Sequence, residues 1–363
     1  MTDDIYVKLC ERLNQNAVKM PPVESVLALL RELFTREQAG LAAEMPIGAH
    51  TVKSLAGQLN RDPVELEKIL ETMADEGIMF VSKTDNDEKE YSVPPFAPGI
   101  LELQFLKGEE TERAKKRYRL IAKMHEELGA MAADLYKNVE AANEKIGEPG
   151  LRTLAIEEEL PDNAEIATWE RISEILEREN SFAVGTCTCR QETLMKGEGC
   201  KVEGAPMEAC VYFGKVADYI VDRKFGKRYS REQLQELLKT CEEKGLLHNI
   251  NNFLGDNIVL CNCCGCCCQI LKPMITHRGL RRVAGSNFLA VVDAESCIGC
   301  GQCIDICQVQ AMEMRDDKAV VNSDYSMGCG NCVRQCPTES LSLVRGSVYK
   351  PPRQSDRVVG FGV

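Results

Sequence analysis

CIGCGQCIDICQVQAMEM (297–314) and SMGCGNCVRQCPTESLSL (326–343) align residue for residue, with Cys297 standing against Ser326. Cys300, Cys303 and Cys307 match Cys329, Cys332 and Cys336, and the glycines at 299 and 301 match those at 328 and 330. The chain therefore repeats one short cysteine loop near its C-terminus, and the second copy has exchanged one thiol for a hydroxyl.

Upstream the cysteines remain clustered. Of the nineteen, Cys10 and Cys241 stand apart, seven lie in the repeat and ten fall between Cys187 and Cys268. The N-terminus, MTDDIYVKLCERLNQ, lacks the basic start and apolar run of a secretory signal, and no apolar stretch is long enough for a transmembrane helix. The expectation is a cytoplasmic protein, where disulfides are rare and cysteine clusters bind metal. An odd number of cysteines also disfavours a closed disulfide framework. A length of 363 residues calls for two or three domains. The net charge of −12 argues against general attraction to nucleic acid or to an anionic membrane.

The repeat resembles that of bacterial two-cluster ferredoxins, C-x2-C-x2-C-x3-C-P, over residues 287–346. The resemblance implies two [4Fe-4S] clusters, with the fourth cysteine of each run ligating the other cluster. Carried over, cluster one takes Cys297, Cys300, Cys303 and Cys336. Cluster two takes Cys307, Cys329 and Cys332 and lacks the ligand that Ser326 replaces. An alkoxide ligand, a [3Fe-4S] cluster and an open iron are all compatible with that serine. Close cysteine spacing wraps a cluster corner by corner, and the glycines let backbone amides approach its sulfides. Gln308 stands where the first run would carry proline, which affects the turn rather than ligation. Zinc is the competing occupant.

In the middle region, NSFAVGTCTCRQETLMKGEGCKVEGAPMEAC (180–210) supplies Cys187, Cys189, Cys200 and Cys210. NIVLCNCCGCCC (257–268) supplies Cys261, Cys263, Cys264, Cys266, Cys267 and Cys268. Each opens on a short apolar run that reads as a buried strand. Alternation puts Cys187 with Cys189, and Cys261 with Cys263, on one face each, so pairing the two strands would gather four thiolates. Between them PMEACVYFGKVADYIVDR (206–223) reads as a helix, and SREQLQELLKTCEEKG (230–245) as a second with a Ser230–Gln233 capping box. Cys241 reads as packing, and Trp169 as core. These ten cysteines are expected to hold one or two further iron–sulfur clusters, since one structural zinc site would leave six unexplained. Cys263-Cys264-Gly265 resembles, in part, the CCG motif of heterodisulfide-reductase-type subunits. The wider CxC…CNCCGCCC arrangement is similar to multi-cluster ferredoxin-like proteins of anaerobes. No Gly-rich turn marks a nucleotide site. His50, His125, His248 and His277 are scattered, and only His277 lies near the cysteine run.

The N-terminal region carries an apolar helical pattern over 22–36, then helices at 51–60 and 61–77, the latter with Asp62 as N-cap, Pro63 at N1 and Gly77 after its end. Two strands follow around TDNDEK. This order resembles a winged-helix domain over residues 20–95, which would imply DNA binding. The recognition-helix position, however, carries Glu65, Glu67, Glu71, Asp75 and Glu76 against Lys68 alone. Phosphate would repel it. Residues 109–146 read as one long amphipathic helix, covering the scaffold or forming a dimer, and GEPG (147–150) as a boundary.

The expected fold class is α+β and multidomain: a winged-helix-like scaffold (1–105), a long helix and linker (106–150), a mixed α/β cysteine-rich domain (151–286), a dicluster ferredoxin domain (287–346) and a tail (347–363). The expected function is iron–sulfur electron transfer, as a protein or as a subunit of an anaerobic oxidoreductase, with a redox protein as donor or acceptor. The alternatives are a redox-sensing transcriptional regulator and a reductase acting at an open iron.

Overall fold

A computed structural model of the chain describes residues 4–354 apart from positions 17, 163 and 347, so most of the expected tail lies outside the described residues. In the N-terminal region, helices Ile5–Leu13, Glu24–Leu33, Arg36–Glu44, Val52–Leu59 and Pro63–Asp75 surround a three-stranded sheet ordered His50–Thr51, Lys89–Ser92, Phe80–Lys83. Local chemistry sets the helix ends. The Thr51 hydroxyl accepts from Ser54 N–H, and the Asp62 carboxylate accepts from Val64 and Glu65 N–H ahead of Pro63. Gly77 follows in the left-handed region. Helix Arg36–Glu44, absent from the sequence reading, starts at a Thr35–Gln38 capping box. The helix expected over 109–146 is two, Glu112–Tyr136 and Val139–Ile146, because the Asn138 side chain accepts from Ala141 N–H and starts a new helix.

The middle region is built on a seven-stranded sheet, ordered Val283–Ala284, Leu151–Leu154, Leu247–Asn251, Val259–Cys263, Glu208–Phe213, Phe182–Thr186, Lys227–Tyr229. All neighbours pair antiparallel except the first two strands, which are parallel. Four expectations are corrected here. Residues 206–223 are not one helix: EACVYF is a buried strand, and Gly214, at φ +55, turns the chain into helix Gly214–Asp222. Six residues with alternating faces bury better in a sheet centre than around a helix. The strand at 182 ends at Thr186, so Cys187 and Cys189 lie not on a strand but at the start of helix Thr188–Met195. Nor do the two cysteine strands pair, since Glu208–Phe213 lies between them and sets Cys210 opposite Cys261. Trp169 is half-buried under the Arg152 guanidinium (5.5 Å) rather than in the core.

The sheet has two working faces. Cys210, Tyr212, Val259 and Cys263 join the core shared with the N-terminal region, whereas Val211, Phe213 and Leu260 pack with Leu234 and Leu238 of helix Arg231–Glu243. On the first face, Tyr219 donates to Ala74 O (2.9 Å), and Arg223 bridges Asp75 (2.6 Å) and Glu71 (2.9 Å). The acidic helix Pro63–Asp75 is thus turned onto its own chain, and part of its charge is spent there.

At the C-terminal end, Phe288–Val292 pairs with Leu341–Arg345 and Met312–Arg315 with Lys318–Val321, both antiparallel. Helices Gln302–Asp305 and Asn331–Arg334 start after Gly301 and Gly330, at φ +80 and +87, so the sequence repeat is also a repeat of conformation. The second copy faces inward. Ile156 N–H donates to Cys329 O (2.9 Å), Asn331 Nδ2 to Gly245 O (2.8 Å), and Arg334 pairs with Glu242 (3.3 Å). No helix among the described residues is long and apolar enough to cross a membrane.

Candidate metal centre

The loop repeat divides its cysteines into an outer and an inner group. Cys297, Cys300, Cys303 and Cys336 line one cavity, together with Gly299, Gly301, Ala319 and Leu341. Cys300 is exposed. Backbone N–H groups of Ala319 and Gly299 lower the Cys297 thiol pKa, the chemistry a metal–thiolate needs. In the inner group Cys307, Cys329 and Cys332 feel one another's charge, and burial pushes Cys329 up to about 11. Ser326 accepts from Gly328 N–H through its hydroxyl (3.3 Å). The left-handed glycines serve close approach: a Cβ on Gly299 would lie 2.4 Å from Asp317 O, and one on Gly328 2.0 Å from Phe288 O.

The ten middle cysteines fall into two sets. The Sγ atoms of Cys200, Cys264, Cys266 and Cys267 all lie within 4.8 Å of one another. Cys200 is 3.7 Å from Cys264 and 3.6 Å from Cys266, and Cys266 is 3.6 Å from Cys267. These four sit around Ala209, Cys241 and Leu246. Cys264 Sγ is drawn down first by the neighbouring Cys267 thiol and then, against burial, by the Arg190 charge.

The other set is a chain of contacts. Cys189 meets Cys268, Cys268 meets Cys263, Cys263 meets Cys261, and Cys261 meets Cys210, whose thiol donates to the Tyr212 hydroxyl (3.5 Å). Cys187 lies beside Cys189 and Cys210, its thiol pushed up to about 12 by burial. One strand serves both sets: Cys261 and Cys263 point to the N-terminal side, and the turn after Cys263 carries Cys264, Cys266 and Cys267 to the other.

Residues 290–343 match the family model described as a 4Fe-4S dicluster domain. This segment is a ferredoxin-type domain. Within it the chain is similar to Ferredoxin-2 of Desulfomicrobium norvegicum, 42% identical over 33 residues, which are 9% of this chain and 56% of that ferredoxin. The match thus spans little more than half of the relative's length. The ferredoxin-type domain belongs to the iron–sulfur electron-transfer class, and the cavity at Cys297–Cys303 and the close sulfur tetrad fit metal–thiolate binding.

The ferredoxin-type domain meets the tetrad directly. Gly265, between Cys264 and Cys266, donates its N–H to Gln308 Oε1 (2.9 Å), and a Cβ on Gly265 would lie 2.1 Å from Gln308 O. Gln308 follows Cys307, so a single residue separates an inner-group sulfur from the tetrad loop. Gln308, expected to affect the turn rather than ligation, also accepts from the tetrad loop through its side-chain amide oxygen.

The sequence reading passed over three more residues. Arg190 is 1% exposed and donates to Pro206 O (3.0 Å) and Asn262 O (2.7 Å). Thr193 donates its hydroxyl to Cys189 O (2.9 Å), and Asn249, fully buried and opposite Cys261 in the sheet, accepts at Oδ1 from the Thr153 hydroxyl (2.8 Å). A charged residue directly after Cys-x-Cys was the available signal for the first, whereas the other two depend on strand and helix packing. The histidines lie off the sulfurs. His277 packs at a tilt against Tyr136 (ring centroids 5.0 Å apart), His125 pairs with Glu192 (3.2 Å), His50 contacts Ile47 O (3.0 Å), and His248 bridges Asn262 (2.7 Å) and Glu242 (3.1 Å). Cys241 is fully buried, as expected of a packing residue.

Proposed function

We propose that the chain is an iron–sulfur electron-transfer protein, or a subunit of an anaerobic oxidoreductase, that relays low-potential electrons between the ferredoxin-type domain and the middle cysteine site. The observation that carries this reading is the Gly265–Gln308 contact, which joins the inner cysteine group to the tetrad through adjacent residues. In this reading Cys297, Cys300, Cys303 and Cys336 hold one cluster, and Cys307, Cys329 and Cys332 a second, with Ser326 at its altered corner. Cys200, Cys264, Cys266 and Cys267 hold a third. Cys187, Cys189, Cys210, Cys261, Cys263 and Cys268 supply ligands for a further one. When bound, the clusters supply reversible one-electron chemistry at potentials set by net charge, hydrogen bonds to the sulfurs and solvent exposure.

The chain's own residues provide the rest. The exposed Cys300 edge gives a redox protein partner its point of approach. Burial of Cys263, Cys264, Cys267 and Cys268 excludes water from the middle site.

The division at residues 105, 150, 286 and 346 is the layout that accompanies this function, with the N-terminal helices and three-stranded sheet as a winged-helix-like scaffold. That scaffold serves as support rather than as a DNA reader, because Glu71 and Asp75 of the recognition-position helix are bound to Arg223. Anaerobic iron and sulfide analysis with EPR tests the proposal. About twelve to sixteen irons per chain are expected, and about eight or fewer would restrict clusters to the ferredoxin-type domain.

A further inference from the structure

We propose that Arg190 is the fixed counter-charge of the middle metal centre. Its guanidinium, enclosed between the tetrad and the six-sulfur chain, offsets the negative charge of the metal–thiolate group and thereby raises its reduction potential. The inference rests on the iron–sulfur reading of the middle cysteines.

Arg190 lies in the first turn of helix Thr188–Met195, directly after Cys189, and is 1% exposed. Two of its nitrogens donate to backbone carbonyls, of Pro206 and Asn262, and Nε has no partner. Among the described residues no carboxylate stands within ion-pair distance of it. Its charge instead faces the sulfurs of Cys187, Cys264, Cys200 and Cys263, which belong to both sets. A cation enclosed in low dielectric without an anion is strongly unfavourable. Thiolates without a cation are equally so, and a metal cannot bind until the thiols have ionised. Each half of this arrangement satisfies the other.

Arg12 supplies an internal control. It too is buried and bonded to two carbonyls, Met45 O (2.9 Å) and Pro46 O (3.0 Å). Among the described residues no carboxylate pairs with Arg12, and burial alone lowers its pKa. Arg190 instead follows Cys189 directly and donates to Asn262 O, between Cys261 and Cys263, so its charge is fixed among the cysteine segments. The difference between the two arginines is the sulfur environment, not the hydrogen bonding.

The sign of the effect on potential follows from charge. Reduction adds an electron, a nearby cation favours the reduced form, and removing that cation makes the potential more negative.

Two variants separate charge from shape. Arg190→Lys keeps the charge, while Arg190→Gln removes it and keeps amide donors for the two carbonyls. Each is prepared as the full chain, loaded anaerobically, and compared with wild type by iron content and by EPR-monitored redox titration of the middle signals. The expected result is wild-type iron and nearly wild-type potential for Arg190→Lys. For Arg190→Gln it is either a more negative middle potential or loss of the middle irons, with the ferredoxin-type signals intact. A Gln variant with wild-type iron and potential overturns the proposal. So do Lys and Gln variants that lose iron or shift potential alike, since guanidinium geometry would then be the requirement. A wild-type chain carrying only the irons of the ferredoxin-type domain overturns the iron–sulfur reading itself, before either variant is considered.

Discussion

In the ferredoxin-type domain seven cysteines sit on two copies of one short loop, and each copy lends its last cysteine to the other's group. In the middle region ten cysteines sit on separate segments, namely the start of one helix, the loop after it, a strand, and a second strand with the turn beyond it. There the sheet does the gathering, by setting Cys210 opposite Cys261 and letting one turn pass Cys264, Cys266 and Cys267 to the far side. The first arrangement is local and leaves Cys300 open to solvent, as suits exchange with a partner. The second depends on tertiary structure and buries Cys263, Cys264, Cys267 and Cys268. Cysteine runs built on local spacing announce themselves in sequence. Runs assembled by a sheet show only that cysteines are abundant.

The contrast is broken most sharply by removing one tetrad sulfur. Cys264→Ser is expected to lose about four irons per chain while the EPR signals of the ferredoxin-type domain persist. Cys241→Ala, which changes a packing residue beside the tetrad, is expected to keep the full iron content. Equal iron in the Cys264→Ser variant and wild type would remove the tetrad from the ligand set. The next largest effect lies at the seam. Gly265→Ala places a Cβ 2.1 Å from Gln308 O, a backbone clash that no side-chain rotation relieves. It is expected to cost about 1–3 kcal/mol in chemical or thermal unfolding. It should also slow reduction of the middle centre by electrons entering through the ferredoxin-type domain, measured by stopped-flow absorbance, at unchanged iron content.

The legibility of the sequence follows the same division. The ferredoxin-type loops and their glycines could be read from the repeat, and the grouping of Cys297, Cys300 and Cys303 with Cys336 followed from the resemblance to two-cluster ferredoxins. The helices at 52–59 and 63–75 were legible because Thr51, Asp62, Pro63 and Gly77 write their ends locally. The strand Glu208–Phe213 was misread because its run from Ala209 to Phe213 is continuously apolar, a pattern that both a buried helix and a central strand satisfy. That one error hid the order of the sheet, and with it the way Cys210 separates the two cysteine strands. Arg190 and Gln308 were passed over as site residues for a related reason: each meets a segment that arrives from another part of the chain, and only the Cys-x-Cys before Arg190 hinted at it.

A smaller effect is expected where the repeat itself departs from symmetry. Ser326→Cys restores the thiol that the first copy has at Cys297. If the inner group holds a three-iron cluster, the variant should gain about one iron per chain, and its EPR spectrum should shift to that of a reduced four-iron cluster. The outer group and the tetrad should be unchanged, because Ser326 hydrogen-bonds within its own loop. An unaltered inner-group spectrum would mean that position 326 does not ligate in either form.

The smallest effect lies against the buried six-sulfur chain, where Glu102 faces Cys210 and Tyr212 across the seam with the N-terminal region. Burial raises the Glu102 carboxyl to about 7, although it accepts from Gly99 N–H (2.6 Å) and His125 lies nearby. The folded value lies above the ordinary carboxylate value of 4.5, so between those pH values the native chain holds a proton that the unfolded chain has released. Stability from this group is therefore greatest in acid and falls as pH rises from about 4.5 to about 7. Glu102→Gln should remove that part of the fall, which is read as a flatter dependence of Tm on pH over the same window. A variant whose Tm follows the wild-type slope would show that the carboxyl is ionised in the native chain and that the seam beside the sulfur chain is wetter than its packing implies.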